Sequence, residues 1–190
     1  IGKLKDLAHS QLGTVGSGNH YVDILVEDST GKIWIANHFG SRGFGHKIAS
    51  GFLNLSEGIG FAEKGRSEHD MAPPCVLSLD SPLGQDYWRA MTLAGEYAYA
   101  GRDYVIQQVL DILKTKSTKE VHNNHNFAWK EIHGENELIV VRKGATPLAP
   151  GQEGFVGGNM CDICVVVEGI DSDDAKDGLY SAMHGAGRVM

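Results

Sequence analysis

Apolar and polar residues alternate along two neighbouring stretches of the chain, which is the pattern of a β-hairpin. In residues 20–27, alternate positions fall on opposite faces: His20, Val22, Ile24 and Val26 on one face, and Tyr21, Asp23, Leu25 and Glu27 on the other. A turn signal follows at residues 28–31, and residues 32–38 read as a returning strand. The sequence therefore predicts a hairpin in which the numbers of opposed residues sum to about 58 to 60.

The predicted register has a chemical consequence, because it makes His20 and His38 cross-strand neighbours. Opposed Cβ atoms in such a pair lie about 4.5–5.5 Å apart, which is close enough for two imidazoles to share one cation. The inference depends on the register, since a shift of one residue would put the two rings on opposite faces. The alternative is that these are two unrelated histidines at strand ends.

Helical spacing of apolar residues predicts three helices. Residues 2–11 read as the end of a helix that leads into a glycine-rich turn, and residues 47–55 carry apolar side chains at helical intervals. Ser81 and Pro82 form a typical helix start, from which the helical period continues to Leu113. Small residues along this long helix indicate a close approach to a neighbour, and we expect it to pack on a sheet.

The remaining segments read as strands and loops. Residues 137–143 and 164–168 are predicted as strands, the second of the buried type. We expect residues 38–46 to form a second glycine-rich loop, residues 58–74 an irregular segment, and residues 147–159 a loop rich in glycine and proline.

Composition narrows the classes of protein. The chain has 190 residues and shows no clear boundary, so residues 1–190 are predicted to form a single domain. A net charge of −7 argues against a surface that coats nucleic acid broadly, so any RNA or DNA contact would come from a local basic cluster. No apolar run is long enough for a membrane span and no export signal is visible. Three cysteines do not form a disulfide framework, which favours the cytoplasm.

Four of the nine histidines are candidates because of the motifs around them: His20 after Gly-Asn, His38 before Phe-Gly-Ser-Arg-Gly, His125 before Asn and His184 before Gly-Ala-Gly-Arg. Imidazole binds Zn, Mn, Fe, Ni and Cu alike, so these residues indicate a metal without selecting it. Cys161 and Cys164 have the spacing of a metal or redox pair, but a structural zinc site needs a second pair that the chain lacks.

The glycines after His184 indicate a site for phosphate. Backbone N–H groups in such a loop can cradle phosphate oxygens, and Arg188 can bind the same anion with both arms of its guanidinium. The histidine itself could be a metal ligand, a general base or a nucleophile that attacks phosphorus. Arg42 and Lys143 also lie beside glycine-rich loops, although a solvated surface charge is the simpler interpretation of any one of them.

With these residues assembled, the chain resembles the RtcB-type RNA-splicing ligases. Five motifs carry the resemblance, in the family's order and across nearly the whole chain: LGTVGSGNH at 12–20, HFGSRGFGH at 38–46, HNFAWKE at 125–131, VRKGAT at 141–146 and HGAGRVM at 184–190. The resemblance implies an α+β fold with a β-sandwich-like core flanked by helices. It also implies GTP and Mn²⁺ as cofactors, and RNA substrates with a 3′-phosphate or 2′,3′-cyclic phosphate end and a 5′-hydroxyl end.

The resemblance also assigns roles to single residues. His184 would be the catalytic nucleophile that takes GMP from GTP, as in tRNA splicing or RNA repair. The implied metal ligands are His20, His38 and His125. The implied nucleotide-binding residues are Asn19, Tyr21, Asp23, Asn126, Gly185, Ala186 and Gly187. The implied ligands of RNA phosphates are Arg42, Lys143 and Arg188.

The sequence departs from the family pattern at its two ends. The family's Asp-x-Gly-Cys-Gly motif, which supplies a carboxylate and a thiolate to the metals, is not present, and neither is the segment that follows the motif at 184–190. We therefore expect the central portion of a ligase or a divergent member. The alternatives are a metal- and nucleotide-binding relative without ligase activity and a metal-dependent phosphohydrolase.

Overall fold

The computed structural model of the protein describes residues 2–65, 75–159 and 162–185. The chain divides into two compact units, Ile1–Lys116 and Ser117–Met190. Helices and strands both occur, which confirms the predicted α+β class. Within the described ranges, no helix has both the length and the apolar character that crossing a bilayer requires.

The first unit combines one hairpin with three helices. Its elements are α1 (Gly2–Gln11), β1 (Tyr21–Val26), β2 (Ile33–His38), α2 (Arg42–Ser56) and α3 (Pro82–Leu113). Strands β1 and β2 pair antiparallel, as predicted. The core of the unit lies where Phe44 and Ile48 of α2 meet Ala94 of α3, with residues of α1 packed against them. Burial of these apolar side chains holds the three helices together.

Helix α3 begins and ends near the predicted residues. The Ser81 hydroxyl accepts a hydrogen bond from the Gly84 N–H at 3.0 Å, and Pro82 occupies the first turn, where no donor is needed. The helix packs against α2 and also against β2, and the Arg102 guanidinium donates to the carbonyl of Phe39, the residue after β2, at 2.9 Å. The sheet contact that we predicted for this helix is therefore only part of its packing.

Helix α2 begins earlier than the sequence predicted. We expected a loop over residues 38–46, but the helix already begins at Arg42. The side-chain oxygen of Gln11 accepts a hydrogen bond from the Gly43 N–H at 2.8 Å and so satisfies a donor that has no partner within the helix. Gly45 faces Ser41 and Ala94, where a side chain would collide with Ser41. Tertiary contacts thus hold two glycines in a helix that their propensity disfavours.

The second unit is built from short strands and one short helix. Its elements are β3 (Asn126–His133), β4 (Asn136–Lys143), β5 (Ala145–Pro147), β6 (Glu153–Val156), β7 (Val165–Glu168), α4 (Asp173–Asp177) and β8 (Ser181–Met183). The pairs β3–β4, β5–β8 and β6–β7 are antiparallel. Together with β1–β2 they make four two-stranded sheets in the described part of the chain.

Two predictions for this unit are wrong. Residues 147–159 are not only a loop, because β6 lies within them and pairs with β7. Strand β7 exists as predicted, but it is not of the buried type: Val165 is 40% and Val166 39% exposed. A run of β-branched residues has high strand propensity wherever it lies, so the sequence predicts the strand but not what covers it.

Arg142 on β4 connects three parts of the second unit. Its guanidinium donates to both carboxylate oxygens of Glu131 on β3, at 2.6 and 2.8 Å. It also donates to the Ser181 hydroxyl and to the Leu179 carbonyl, both at 2.8 Å. The side chain is only 3% exposed, so these charged and polar partners replace the water that burial removed. Strand β8, which leads to His184, is thereby attached to the β3–β4 hairpin.

Candidate active site

The hairpin of the first unit brings an aromatic ring against a candidate metal ligand. Tyr21, and not His20, lies opposite His38, so the predicted pairing of His20 with His38 is wrong by one residue. The Tyr21 and His38 rings stack with centroids 5.4 Å apart and planes inclined by 12°. Strand β1 begins only at Tyr21, so His20 belongs to the glycine-rich turn and is not held to the alternation of the strand.

The His20 ring nevertheless lies near His38. Their centroids are 6.3 Å apart, because the turn before β1 directs the His20 side chain toward the end of β2. Arg42, the first residue of α2, has Nη1 3.2 Å from His20 Nδ1. A guanidinium only donates, so Nδ1 accepts and the neutral His20 ring carries its proton on Nε2.

Burial and charge favour the neutral form of His20. Burial lowers the pKa of its imidazole below the ordinary value of 6.5, and the Arg42 charge lowers the pKa further, while a hydrogen bond to the Val15 backbone raises it. A neutral imidazole is the form that ligates metals. The neutral form of His20 is the form that a metal requires, but the Arg42 guanidinium already donates to the lone pair on its Nδ1.

Arg42 occupies a confined position under the glycine-rich turn. A side chain at Gly16 would overlap the Arg42 guanidinium as placed, and the φ of +94° at Gly16 also favours glycine in this turn. Arg42 itself has a positive φ of 55°, and its buried Nε has no hydrogen-bond partner within the described residues. An anion next to this guanidinium would supply the missing acceptor.

The two imidazoles of the first unit could share a cation only by approaching it from opposite sides. With a metal–nitrogen distance of about 2.1 Å and a ring radius of about 1.1 Å, two rings on one ion have centroids at most about 6.4 Å apart. The observed 6.3 Å lies just inside that limit. Among the described residues, no group of three or more His, Cys, Asp or Glu side chains is placed to hold a metal ion.

Two other predicted residues of this unit are exposed. Asn19 lies in the turn just before His20, and Asp23 lies on β1 opposite Ala36. Asp23 shares a strand face with Tyr21, because side chains two residues apart point the same way. Asn19 is therefore adjacent to His20, Asp23 lies two residues along β1 from Tyr21, and both are accessible to a ligand.

The second unit places His125 against His184. Their ring centroids are 4.2 Å apart. Gly144, between β4 and β5, connects the two residues: its N–H donates to the His125 carbonyl at 2.8 Å, and its own carbonyl accepts from the His184 N–H at 3.3 Å. The pairing of β5 with β8 brings these distant parts of the sequence together.

The His184 side chain has a defined tautomer. Its Nδ1 lies 2.9 Å from the Gly144 carbonyl oxygen. A carbonyl only accepts, so Nδ1 carries the proton, and the lone pair of the neutral ring is on Nε2. That arrangement suits an imidazole that attacks an electrophile or binds a metal through Nε2.

Other predicted residues gather at the same end of the β3–β4 hairpin. Asn126 and Lys143 are opposed there, next to His125 and Gly144 respectively, and both are exposed. Gly185 forms a parallel bridge with Gly157, and a side chain at Gly185 would come within 2.9 Å of the Gly157 carbonyl oxygen. Three predicted residues lie outside the described residues: Ala186, Gly187 and Arg188.

Sequence reasoning missed the residues that support His184. Gly144 and Arg142 lie within the motif at 141–146, but the motif alone predicts no role for either residue. Gly144 directly follows the predicted strand at residues 137–143, and a glycine in that position indicates a turn. The partners of both residues depend on the β5–β8 pairing, which local patterns do not reveal.

Comparison with known proteins extends the resemblance to the whole chain. The family model for the tRNA-splicing ligase RtcB matches residues 2–190. The RNA-splicing ligase RtcB of Escherichia coli K12 is 30% identical, over 96% of this chain and 46% of that protein. The RNA-splicing ligase RtcB homolog 2 of Entamoeba dispar is 32% identical, over 98% of this chain and 42% of that protein.

An archaeal relative gives a similar result. The tRNA-splicing ligase RtcB of Aeropyrum pernix is 28% identical, over 95% of this chain and 45% of that protein. The chain thus spans about half the length of the relatives that it matches. Because the family model covers all but the first residue, the chain belongs to the RtcB family of tRNA-splicing ligases.

Proposed function

We propose that this chain carries the catalytic histidine of a GTP- and Mn²⁺-dependent RNA ligase. The ligase would join an RNA 3′-phosphate or 2′,3′-cyclic phosphate to a 5′-hydroxyl through a histidine–GMP intermediate on His184. One observation carries the proposal: His184 donates from Nδ1 to the Gly144 carbonyl, which leaves the lone pair of the neutral ring on Nε2. Membership of the RtcB family supports it.

The first step would be attack of His184 on GTP. Nε2 of the neutral ring bonds to the α-phosphorus, and the bond from that phosphorus to the oxygen that bridges it to the β-phosphate breaks, so pyrophosphate leaves. The ring becomes an imidazolium that keeps its proton on Nδ1, facing the Gly144 carbonyl. Transfer of GMP to the RNA phosphate would then activate that end for the 5′-hydroxyl.

Imidazoles would hold Mn²⁺, and the ligands that the resemblance to the family implies are His20, His38 and His125. When bound, the ion would neutralise phosphate charge and orient the leaving pyrophosphate. The lone pair on His20 Nδ1 becomes available to a metal only if Arg42 releases it, so we propose that Arg42 turns from His20 to a phosphate.

The remaining predicted residues would bind the two substrates. For the nucleotide these are Asn19, Tyr21, Asp23, Asn126, Gly185, Ala186 and Gly187. For the RNA phosphates these are Arg42, Lys143 and Arg188. Asn126 and Lys143 support this assignment, because both are exposed beside the histidine pair of the second unit.

The test is incubation of the protein with Mn²⁺ and GTP labelled at the α-phosphate. We expect a covalent label that is labile in acid and stable in base, as a phosphoramidate is. The label should be lost in His184→Ala and retained in His9→Ala, a matched control because His9 is an exposed histidine on α1.

Two outcomes would overturn the proposal. GTP consumption without covalent label would indicate a metal-dependent phosphohydrolase. Binding of Mn²⁺ and GTP with neither label nor turnover would indicate a relative that binds both and is not a ligase.

A further inference from the structure

Gly144 makes three hydrogen bonds to two histidines. Its N–H donates to the His125 carbonyl at 2.8 Å, and its carbonyl accepts from the His184 backbone N–H at 3.3 Å and from His184 Nδ1 at 2.9 Å. We propose that Gly144 is the positioning residue of His184, whose ring it holds in the tautomer that attacks through Nε2. The inference rests on the proposed function only in taking His184 as the nucleophile.

The carbonyl has two effects on the ring. It fixes the plane of the imidazole, because the ring and the backbone of residue 184 are both attached to one oxygen. It also faces the nitrogen whose proton becomes more acidic as Nε2 bonds to phosphorus. A fixed carbonyl dipole at that position stabilises the developing positive charge without having to reorient during the reaction.

The backbone of Gly144 explains why the position is glycine. Its φ is +77°, a conformation that residues with a side chain rarely adopt. A methyl group there would lie 3.6 and 3.7 Å from His184 Nδ1 and Cε1, which is ordinary van der Waals contact. Backbone strain, and not collision with the ring, is therefore the cost of Gly144→Ala, and relaxing that strain rotates the carbonyl away from Nδ1.

Gly134 provides a matched control. It lies in the turn between β3 and β4 with a φ of +64°, and a methyl group added there would meet no atom within 4 Å. Gly134→Ala thus introduces the same type of backbone strain in the same unit, away from His184.

The experiment measures the tautomer of His184 by NMR in protein labelled with ¹⁵N-histidine, at a pH where the rings are neutral. Signals of His184 are identified by their loss in His184→Gln. In the unaltered protein we expect the proton on Nδ1. A ring with its proton on Nε2 would overturn the inference, and this measurement requires no glycine variant to fold.

The variants then test the role of Gly144. Gly144→Ala should shift the His184 signals toward the other tautomer and slow covalent labelling by GTP about tenfold, since small displacements of a reacting group are costly. Gly134→Ala should leave the tautomer unchanged and the labelling rate within about twofold. Equal effects of the two variants would show that Gly144 acts only on folding, and would overturn the inference.

The two proposals fail in different ways. If His184 has its proton on Nδ1 but takes no label, the ligase proposal fails and the positioning of the ring remains. If His184 takes the label with its proton on Nε2, the ligase proposal remains and Gly144 has no positioning role.

Discussion

His20 accepts a hydrogen bond from Arg42 at Nδ1, the nitrogen whose lone pair a metal ion would need. A guanidinium and a metal ion would thus compete for one lone pair, and each would exclude the other by charge as well as by position. Tyr21 stacks on His38 and limits the rotation of that ring. The two imidazoles of the first unit are therefore constrained in different ways: His20 accepts a hydrogen bond from Arg42, and His38 is stacked on Tyr21.

If these rings share one Mn²⁺, His20→Gln and His38→Gln should each weaken the same binding event. We expect a loss of affinity of at least about tenfold in either variant, by analogy with the effect of altering the groups that orient metal ligands. Isothermal titration calorimetry with Mn²⁺ measures it, with His9→Gln as the exposed control. Two independent sites, one removed by each variant, would contradict this expectation.

At the scale of elements, the second unit depends on Arg142. This side chain connects β3, β4 and the start of β8, and its ion pair with Glu131 is largely shielded from water. A charge buried in this way is costly when its partner is removed, because little solvent can replace the lost contact. The attachment of β8, and with it the approach to His184, should therefore be sensitive to Glu131.

Glu131→Gln should destabilise the protein by about 3 kcal/mol at neutral pH. The hydrogen bond from Arg142 lowers the pKa of Glu131 below its ordinary value of 4.5, and His133 lowers it further, although burial opposes them. A depressed carboxyl pKa gives stability that is present above pH 4.5 and is lost as the pH falls through the folded-state value. The difference between the protein and its variant should therefore shrink in acid.

Urea unfolding at several pH values measures this difference. Glu137→Gln is the matched control, since Glu137 is an exposed carboxylate on the neighbouring strand β4. It should change the free energy of unfolding by less than about 0.5 kcal/mol. A difference for Glu131→Gln that did not vary below pH 4.5 would contradict the assignment.

The elements differ in how far sequence could predict them. Helix α3 was predictable because its cap and its apolar period are local features. The start of α2 was not, because its two glycines are held by Gln11 and by packing on α3. The candidate histidines were found through their motifs, whereas the role of Gly144 depends on the pairing of β5 with β8. The missed features are those that depend on contacts between segments distant in the chain.

At the scale of the whole molecule, charge limits how RNA could bind. The chain carries a net charge of −7, so attraction to RNA would depend on a few basic residues and not on the overall field. Each phosphate neutralised by such a residue releases counterions, and the binding constant then falls with salt in proportion to the number of contacts. The salt dependence therefore counts the basic residues that bind.

Arg42→Gln and Lys143→Gln should each reduce the slope of log K against log salt by about 0.7 for single-stranded RNA. Fluorescence anisotropy with a labelled RNA that ends in a 3′-phosphate measures the slope over a range of salt concentrations. Lys32→Gln, at an exposed position in the turn between β1 and β2, should leave it unchanged. An equal reduction of the slope in Lys32→Gln would mean that RNA binding is not localised at Arg42 and Lys143.

Gly16 and Arg42 occupy one volume, since a side chain at the first would overlap the guanidinium of the second. A larger residue at 16 would need Arg42 to be shortened or displaced, and it would also have to adopt the positive φ of 94° that glycine adopts there. The dependence therefore runs one way, because Arg42 can be replaced while Gly16 stays, whereas a side chain at 16 requires a change at 42. Across related sequences we expect position 42 to vary where 16 is glycine, and residues other than glycine at 16 to occur with a shorter residue at 42.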